Sequence, residues 1–427
     1  MLNKIKNIAN TEDKKRLLSN FLSLTVLQIA NYLLPLITLP YLVRVLGVEY
    51  FGLLAFATAT VMYFQILTDY GFNLTATREI SIHRDNKEKV IEIFSSVMTI
   101  KFILMFLSLF LLFILVFSFE KFSKDAIVYF FTFGTVIGQV LFPAWFFQGM
   151  ERMKYITYLN ILSKVIFTIA IFVFVQEQSD YFLVPFLTSI GFLVAGIWSL
   201  VLIKKEFDIS FSFQKIETIK SYLVDGWNVF VSRIYVNLYI GTNTVLLGVF
   251  TNNTITGYYA IAEKIILAIG GIFEPFNQTI FPYLAKIYTK NISEFIQLVK
   301  KISVYLLTAT LLTAIITYIF REDIVYIITG TYSKDIVLLF SIFIFRLTNI
   351  PFGSFYSNCL IIIHSNKYFI RVMNYTVTFY FLLVPISLWI FNIYVMTASF
   401  LFVLFLHIVL LRYYLIKSFQ SIQKEDK

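Results

Sequence analysis

Charge is scarce in this chain: Asp, Glu, Lys and Arg supply 14% of 427 residues against 59% hydrophobic ones, and mean hydropathy is +0.79. A soluble domain carries roughly 25% charged residues, so a soluble globular fold is excluded. Cysteine is scarcer still. Cys359 stands alone in an apolar run, which rules out an intrachain disulfide. The three histidines, His83, His364 and His407, are far apart and lack metal-ligand spacing, so each reads as a loop or interface residue. No metal and no cofactor is expected. The net charge of +10 would suit nucleic acid only if its cations clustered on a soluble face, and they are scattered between apolar runs.

What the chain has instead is a succession of hydrophobic runs, each about 20 residues long and able to cross a bilayer as a helix. We read twelve, from Phe21–Val43 to Phe391–Ile416, and hence an all-α polytopic membrane protein. The first run is too long for a signal peptide and lacks a cleavage motif, so it is a retained span. With the N-terminus taken as cytoplasmic, Lys and Arg outside the spans divide 25 to 5 in favour of that side. That asymmetry places both termini in the cytoplasm. A weak internal repeat relates GLLAFATA from Gly52 to GYYAIAEK from Gly257, at the starts of the second and eighth spans. Two six-helix lobes are therefore expected, residues 1–203 and 221–427, joined by a charged cytoplasmic linker at 204–220. A substrate cavity is expected centrally, between the lobes.

Five cations lie inside the spans: Lys101, Lys164, Arg233, Lys264 and Arg346. Each is costly in lipid, so it either snorkels to the interface or lines a cavity. Neighbours on the same helical face discriminate. Lys164 shares its face with Thr157, Asn160 and Thr168, Arg233 with Asn237 and Thr244, and Arg346 with Asn349, Gly353 and Ser357. Lys264 lies on a small, polar stripe within Gly257–Lys286 that includes Gly271, Pro275, Gln278 and Pro282. These four are read as cavity cations. Lys101, surrounded by Phe94, Val97, Met105 and Leu112, is read as snorkelling. The first span offers Gln28, Asn31, Tyr32, Pro35 and Thr38 on one face, and the second Thr58, Met62, Gln65 and Asp69. For these polar stripes, cavity lining and interhelical hydrogen bonding are equal readings. Four cations suit an anionic cargo such as phosphate. Glu263 and Glu274 either neutralise Lys264 or, with Asp69, exchange a coupling ion.

At these residues the chain resembles the Wzx-type flippases of the polysaccharide transporter family, in the superfamily that also holds the MATE exporters and MurJ lipid II flippases. The resemblance runs along nearly the whole chain and rests on PLITLPYLVRVLGVEYFGLLAFATA from Pro35, TDYGFNLTATREIS from Thr68 and FPAWFFQGMERMKYI from Phe142. It implies twelve helices in two lobes and alternating access. It also implies a polyprenyl-pyrophosphate-linked oligosaccharide as cargo for O-antigen or capsule assembly, in the bacterial inner membrane, and H+ or Na+ antiport. A polysaccharide polymerase and a chain-length regulator are the partners it suggests. No catalytic residue carries over. The FPAWFFQGME segment reads as helix packing at the cytoplasmic end of the fourth span.

Three other functions compete, of which a lipid II flippase has in its known family two further helices that this chain has no room for. A MATE-like small-molecule exporter of cationic drugs would call for acidic or aromatic cavities, which four cations oppose. A multispanning polysaccharide polymerase usually carries a large external loop, whereas the longest one here, near Arg321–Asp335, holds no histidine. The cationic-cavity reading expects Arg233→Ala, Lys264→Ala and Arg346→Ala to abolish surface polysaccharide.

Overall fold

In lipid every backbone N–H and C=O must be satisfied within the chain, which helices do segment by segment. The computed structural model describes the backbone of residues 12–425 and the side chains of 26–422, apart from those of Ile29, Tyr32, Val236, 238–240 and Gln278. The cationic N-terminal side chains through Arg16 and the stripe members Tyr32 and Gln278 thus lie outside the described side chains. Among the described residues every regular element is helical, and ten helices are long and apolar enough to cross a membrane. The protein is a multi-pass, all-α membrane protein.

The chain divides into two compact units, residues up to Asn237 and residues from Leu238. That division falls inside a helix, downstream of the stretch 204–220. In the first unit, α1 (Glu12–Asp69) runs through the first two expected spans and bends at Gly47, whose φ of 76° is open to glycine and strained for other residues. Tyr70 and Gly71, both left-handed, then turn the chain into α2 (Phe72–His83). There follow α3 (Lys87–Ser118), α4 (Glu120–Ser123), α5 (Ala126–Leu141), α6 (Ala144–Gly149), α7 (Met153–Phe174), α8 (Leu183–Phe207) and α9 (Ile216–Ile240).

Small residues let α5 and α8 approach closely: a Cβ on Gly138 would sit 2.6 Å from the carbonyl carbon of Phe192. The FPAWFFQGME segment unwinds at Phe142–Pro143 and re-forms as α6, driving Trp145, Phe146 and Phe147, all fully buried, into a core shared with Phe72 and Ile80. Gly149 lies against Ile80 of α2, and Glu151, held at φ 54°, pairs with Arg84 at 2.8 Å. The segment is a packing device, as expected. α9 docks on the same unit, with Phe230 stacked on Tyr70 at 4.6 Å and the Tyr222 hydroxyl donating to Glu92 at 3.1 Å.

The second unit comprises α10 (Thr242–Phe250), α11 (Asn253–Gly270), α12 (Glu274–Tyr288), α13 (Ile292–Ile319), α14 (Arg321–Thr329), α15 (Lys334–Phe343), α16 (Arg346–Ile362), α17 (Asn366–Ile390) and α18 (Ile393–Glu425). Its core joins Leu284, Phe295, Phe355, Cys359, Val372 and Leu411. The expected continuous helix from Gly257 to Lys286 is broken by a 3-10 turn at Gly271–Phe273. Pro275 lies in the first turn of α12, where its missing N–H costs no hydrogen bond, so it starts a helix rather than bending one. The small, polar stripe expected from Lys264 through Gly271 to Pro275 and Pro282 is therefore offset at the turn, since a 3-10 turn advances about 120° per residue where an α-helix advances about 100°.

Candidate functional site

Each unit contains a centre of polar groups inside its apolar helices. In the second, a two-residue turn at Ile344–Phe345 ends α15 and sets Arg346 at the start of α16, 6% exposed. Its Nη1 donates to Oε1 of Glu263 on α11 at 2.6 Å, and its guanidinium lies 5.4 Å from the Phe400 ring centroid. An arginine in an apolar interior requires such a counter-charge. One turn earlier on α11 is Tyr259, fully buried and within electrostatic reach of both Glu263 and Arg346. Asn243 on α10, 1% exposed, completes the centre. Its amide donates to the Tyr259 hydroxyl at 2.8 Å and its carbonyl accepts from Tyr380 on α17 at 2.6 Å. The arrangement ties four helices together and cancels its own charge.

Lys264 follows Glu263 by one residue, about 100° round α11, and lies within electrostatic reach of that carboxylate. Glu274, half-buried, opens α12 beyond the break. Asn349 is buried on α16, its amide directed to the Phe345 carbonyl at 3.4 Å. His407 bonds Thr376 at 2.8 Å between α18 and α17, an interface role.

In the first unit, Lys164 of α7 donates to the side-chain oxygen of Asn31 on α1, so two residues selected separately from sequence are brought together. The lysine is half-buried and its partner is neutral. Gln28, also half-buried, is engaged within the structure. Asp69, at the end of α1, accepts from Asn73 at 2.6 Å and lies within electrostatic reach of Lys101 and Arg233. Arg233 is exposed on α9, and the Asn237 amide turns back to the Arg233 carbonyl at 2.8 Å. Gln65 bonds Thr135 across helices at 3.0 Å and Thr58 bonds its own helix, the packing reading of that stripe.

Lys101 corrects an expectation. It is 2% exposed and faces Asp69 rather than snorkelling. Its apolar neighbours Phe94, Val97, Met105 and Leu112 are themselves buried, so an apolar face here meant protein interior and not lipid. Sequence reasoning also passed over Asn243, Tyr259 and Tyr380. Tyr259 precedes Glu263 by four residues and so shares its helical face, and Asn243 is an amide between Thr242 and Thr244 just ahead of an apolar run; Tyr380 offered no such signal.

Comparison with known proteins agrees with this architecture. Residues 17–288 match the polysaccharide biosynthesis protein family. The chain is similar to the provisionally named O-antigen transporter of Escherichia coli (strain K12), 35% identical over 289 residues, 68% of this chain and 70% of that one. A provisionally named O-antigen transporter of Shigella dysenteriae is 29% identical over 63% of this chain and 67% of its own. Among solved structures, the lipid II flippase MurJ superposes with a TM-score of 0.73 at 14% identity, over 95% of this chain and 90% of MurJ. A multidrug resistance MATE family transporter gives 0.65 at 13% identity, over 95% and 99%. With the family model matched over more than half of this chain, the chain belongs to the polysaccharide biosynthesis protein family, and it shares its fold with MurJ and MATE transporters.

Proposed function

We propose that this chain is a flippase that carries a polyprenyl-pyrophosphate-linked oligosaccharide repeat unit from the cytoplasmic to the outer leaflet of the bacterial inner membrane, by alternating access coupled to H+ or Na+. The names of its relatives support a glycan cargo, and a fold like that of a lipid II flippase supports a lipid-linked one. Twelve crossings follow if Val26–His83 counts as two, divided at Gly47, and residues 216–250 as one. An even number keeps both termini on the cytoplasmic side.

The observation that carries the reading is Lys164, a half-buried cation inside a membrane helix whose bonded partner is an amide. Its positive charge is left for a phosphate, which lysine binds as a point charge. Within the first unit we assign Arg233 to the substrate as well, with Asn31, Gln28 and Asn237 as polar groups; in the second unit, taken by itself, Lys264 and Asn349 are assigned to it. Asp69 and Glu274 are the carboxylates assigned to the coupling ion. Arg346 and Glu263, closed on each other, hold helices.

The test uses the purified chain in liposomes containing a fluorescent polyprenyl-pyrophosphate oligosaccharide on one leaflet. The wild type transfers it to the other leaflet. Lys164→Ala lowers the rate by about tenfold or more, the scale of one charge-assisted contact, with the unfolding temperature unchanged. Transport of cationic dyes without lipid transfer would instead identify a MATE-like exporter.

A further inference from the structure

Three helices of the second unit, α13, α16 and α18, leave a groove of about 510 Å³ between them. Its floor is α16, where Phe352 and Tyr356 are buried and the Tyr356 hydroxyl donates to Ser303 of α13 at 3.3 Å. Its rims are apolar and exposed along Val304 and Leu307 on one side and Phe405 and Val409 on the other. In a membrane such rims meet hydrocarbon. Lys300 on α13 and Arg412 on α18 stand on opposite walls, and no carboxylate lines the groove.

Two cations set in a hydrocarbon-lined groove complement an anion with an apolar body. Beyond Arg412 the wall continues as Leu415, Ile416 and Phe419, so an oligosaccharide headgroup would lack hydrogen-bond partners there, while a compact phosphodiester needs little beyond the cations. We infer that this groove binds one anionic phospholipid of the surrounding bilayer, its phosphate between Lys300 and Arg412 and an acyl chain along Val304, Leu307 and Phe405. Asn349, assigned above to the cargo, also lines the groove; the inference rests on the membrane-spanning fold and is tested without reading transport.

Native mass spectrometry of the full chain in detergent tests it with phosphatidylglycerol, phosphatidylcholine and polyprenyl phosphate, each at the same concentration. Phosphatidylglycerol should be retained in preference to phosphatidylcholine. Its occupancy should fall about fivefold for each of Lys300→Gln and Arg412→Gln, the attraction of one cation for an anionic headgroup. Leu307→Trp, which fills the groove and leaves both cations in place, should lower occupancy as well and keeps the test decisive if the charge variants fail to fold. Equal retention of phosphatidylcholine, unchanged occupancy in monodisperse variants, or displacement of phosphatidylglycerol by an equal amount of polyprenyl phosphate would each overturn the assignment. Because no transport is read, failure here leaves the flippase reading standing, and loss of transfer in Lys164→Ala says nothing of this groove.

Discussion

The two units solve the same electrostatic problem in different ways. In the second, Arg346 meets a carboxylate at 2.6 Å and the adjoining amide of Asn243 is used on both its polar atoms, so the centre is neutral and closed. In the first, Lys164 meets an amide, which orients the ammonium without cancelling it. A cation inside a membrane helix is thus not by itself a ligand. On the function proposed above, its partner decides whether the charge is structural or left for something that arrives, and by that criterion Lys164 and Arg346, alike in sequence context, part company.

The sharpest way to break this contrast is to remove Arg346. Arg346→Ala removes the bonded partner of Glu263 and leaves it only the neighbouring Lys264, which costs up to about 3–5 kcal/mol, whereas Arg346→Met combined with Glu263→Gln should be neutral or stabilising. Unfolding of the detergent-solubilised chain reads both. Wild-type stability for Arg346→Ala together with lost lipid transfer would make Arg346 a substrate ligand after all and erase the contrast. A smaller effect sharpens it: Asn243→Ala removes a hydrogen bond from each of two buried tyrosine hydroxyls and should cost about 1–3 kcal/mol, while Asn31→Ala, which takes one neutral partner from a half-buried ammonium, should cost less than about 1 kcal/mol. Equal losses at the two amides would mean that the centres are built alike.

Much of this was legible in the sequence because hydropathy and helical periodicity are local properties. The runs of apolar residues became helices, and the aromatic segment from Phe142 became packing, since Phe146 and Phe147 carry no polar group and Trp145 only a single indole N–H. Lys164 and Asn31 were both selected, though periodicity on one helix cannot tell that two helices meet. Two readings failed and one centre was passed over. An apolar face looks identical whether it turns to lipid or to protein, which misassigned Lys101; a glycine pair does not announce a 3-10 turn, which interrupted the helix expected through Gly271; and the partners of Asn243, on which no reading was made, come from residues 16 and 137 positions away.

An ion pair outside the membrane gives the opposite limit to Glu263–Arg346 and the smallest effect. Asp208 ends α8 in the left-handed conformation, φ 53°, and its carboxylate accepts from Lys87 at the start of α3. The Lys87 hydrogen bond, and then its charge, hold the Asp208 carboxyl below its usual range. A depressed carboxyl stabilises the fold at every pH above its unfolded value, about 3.9, and loses that contribution as pH falls through the lower folded value. The clamp between α3 and α8 should therefore persist at neutral pH and weaken only below about pH 4. Because Asp208 is exposed, added salt should screen it, which a buried pair would resist. Hydrogen exchange in residues 208–215, followed from neutral pH into acid, reads the clamp directly. Lys87→Ala should remove the acid-dependent component and the salt dependence together, and superimposable profiles for the two chains would show that this pair contributes nothing, leaving burial as the property that gives an ion pair its weight in this fold.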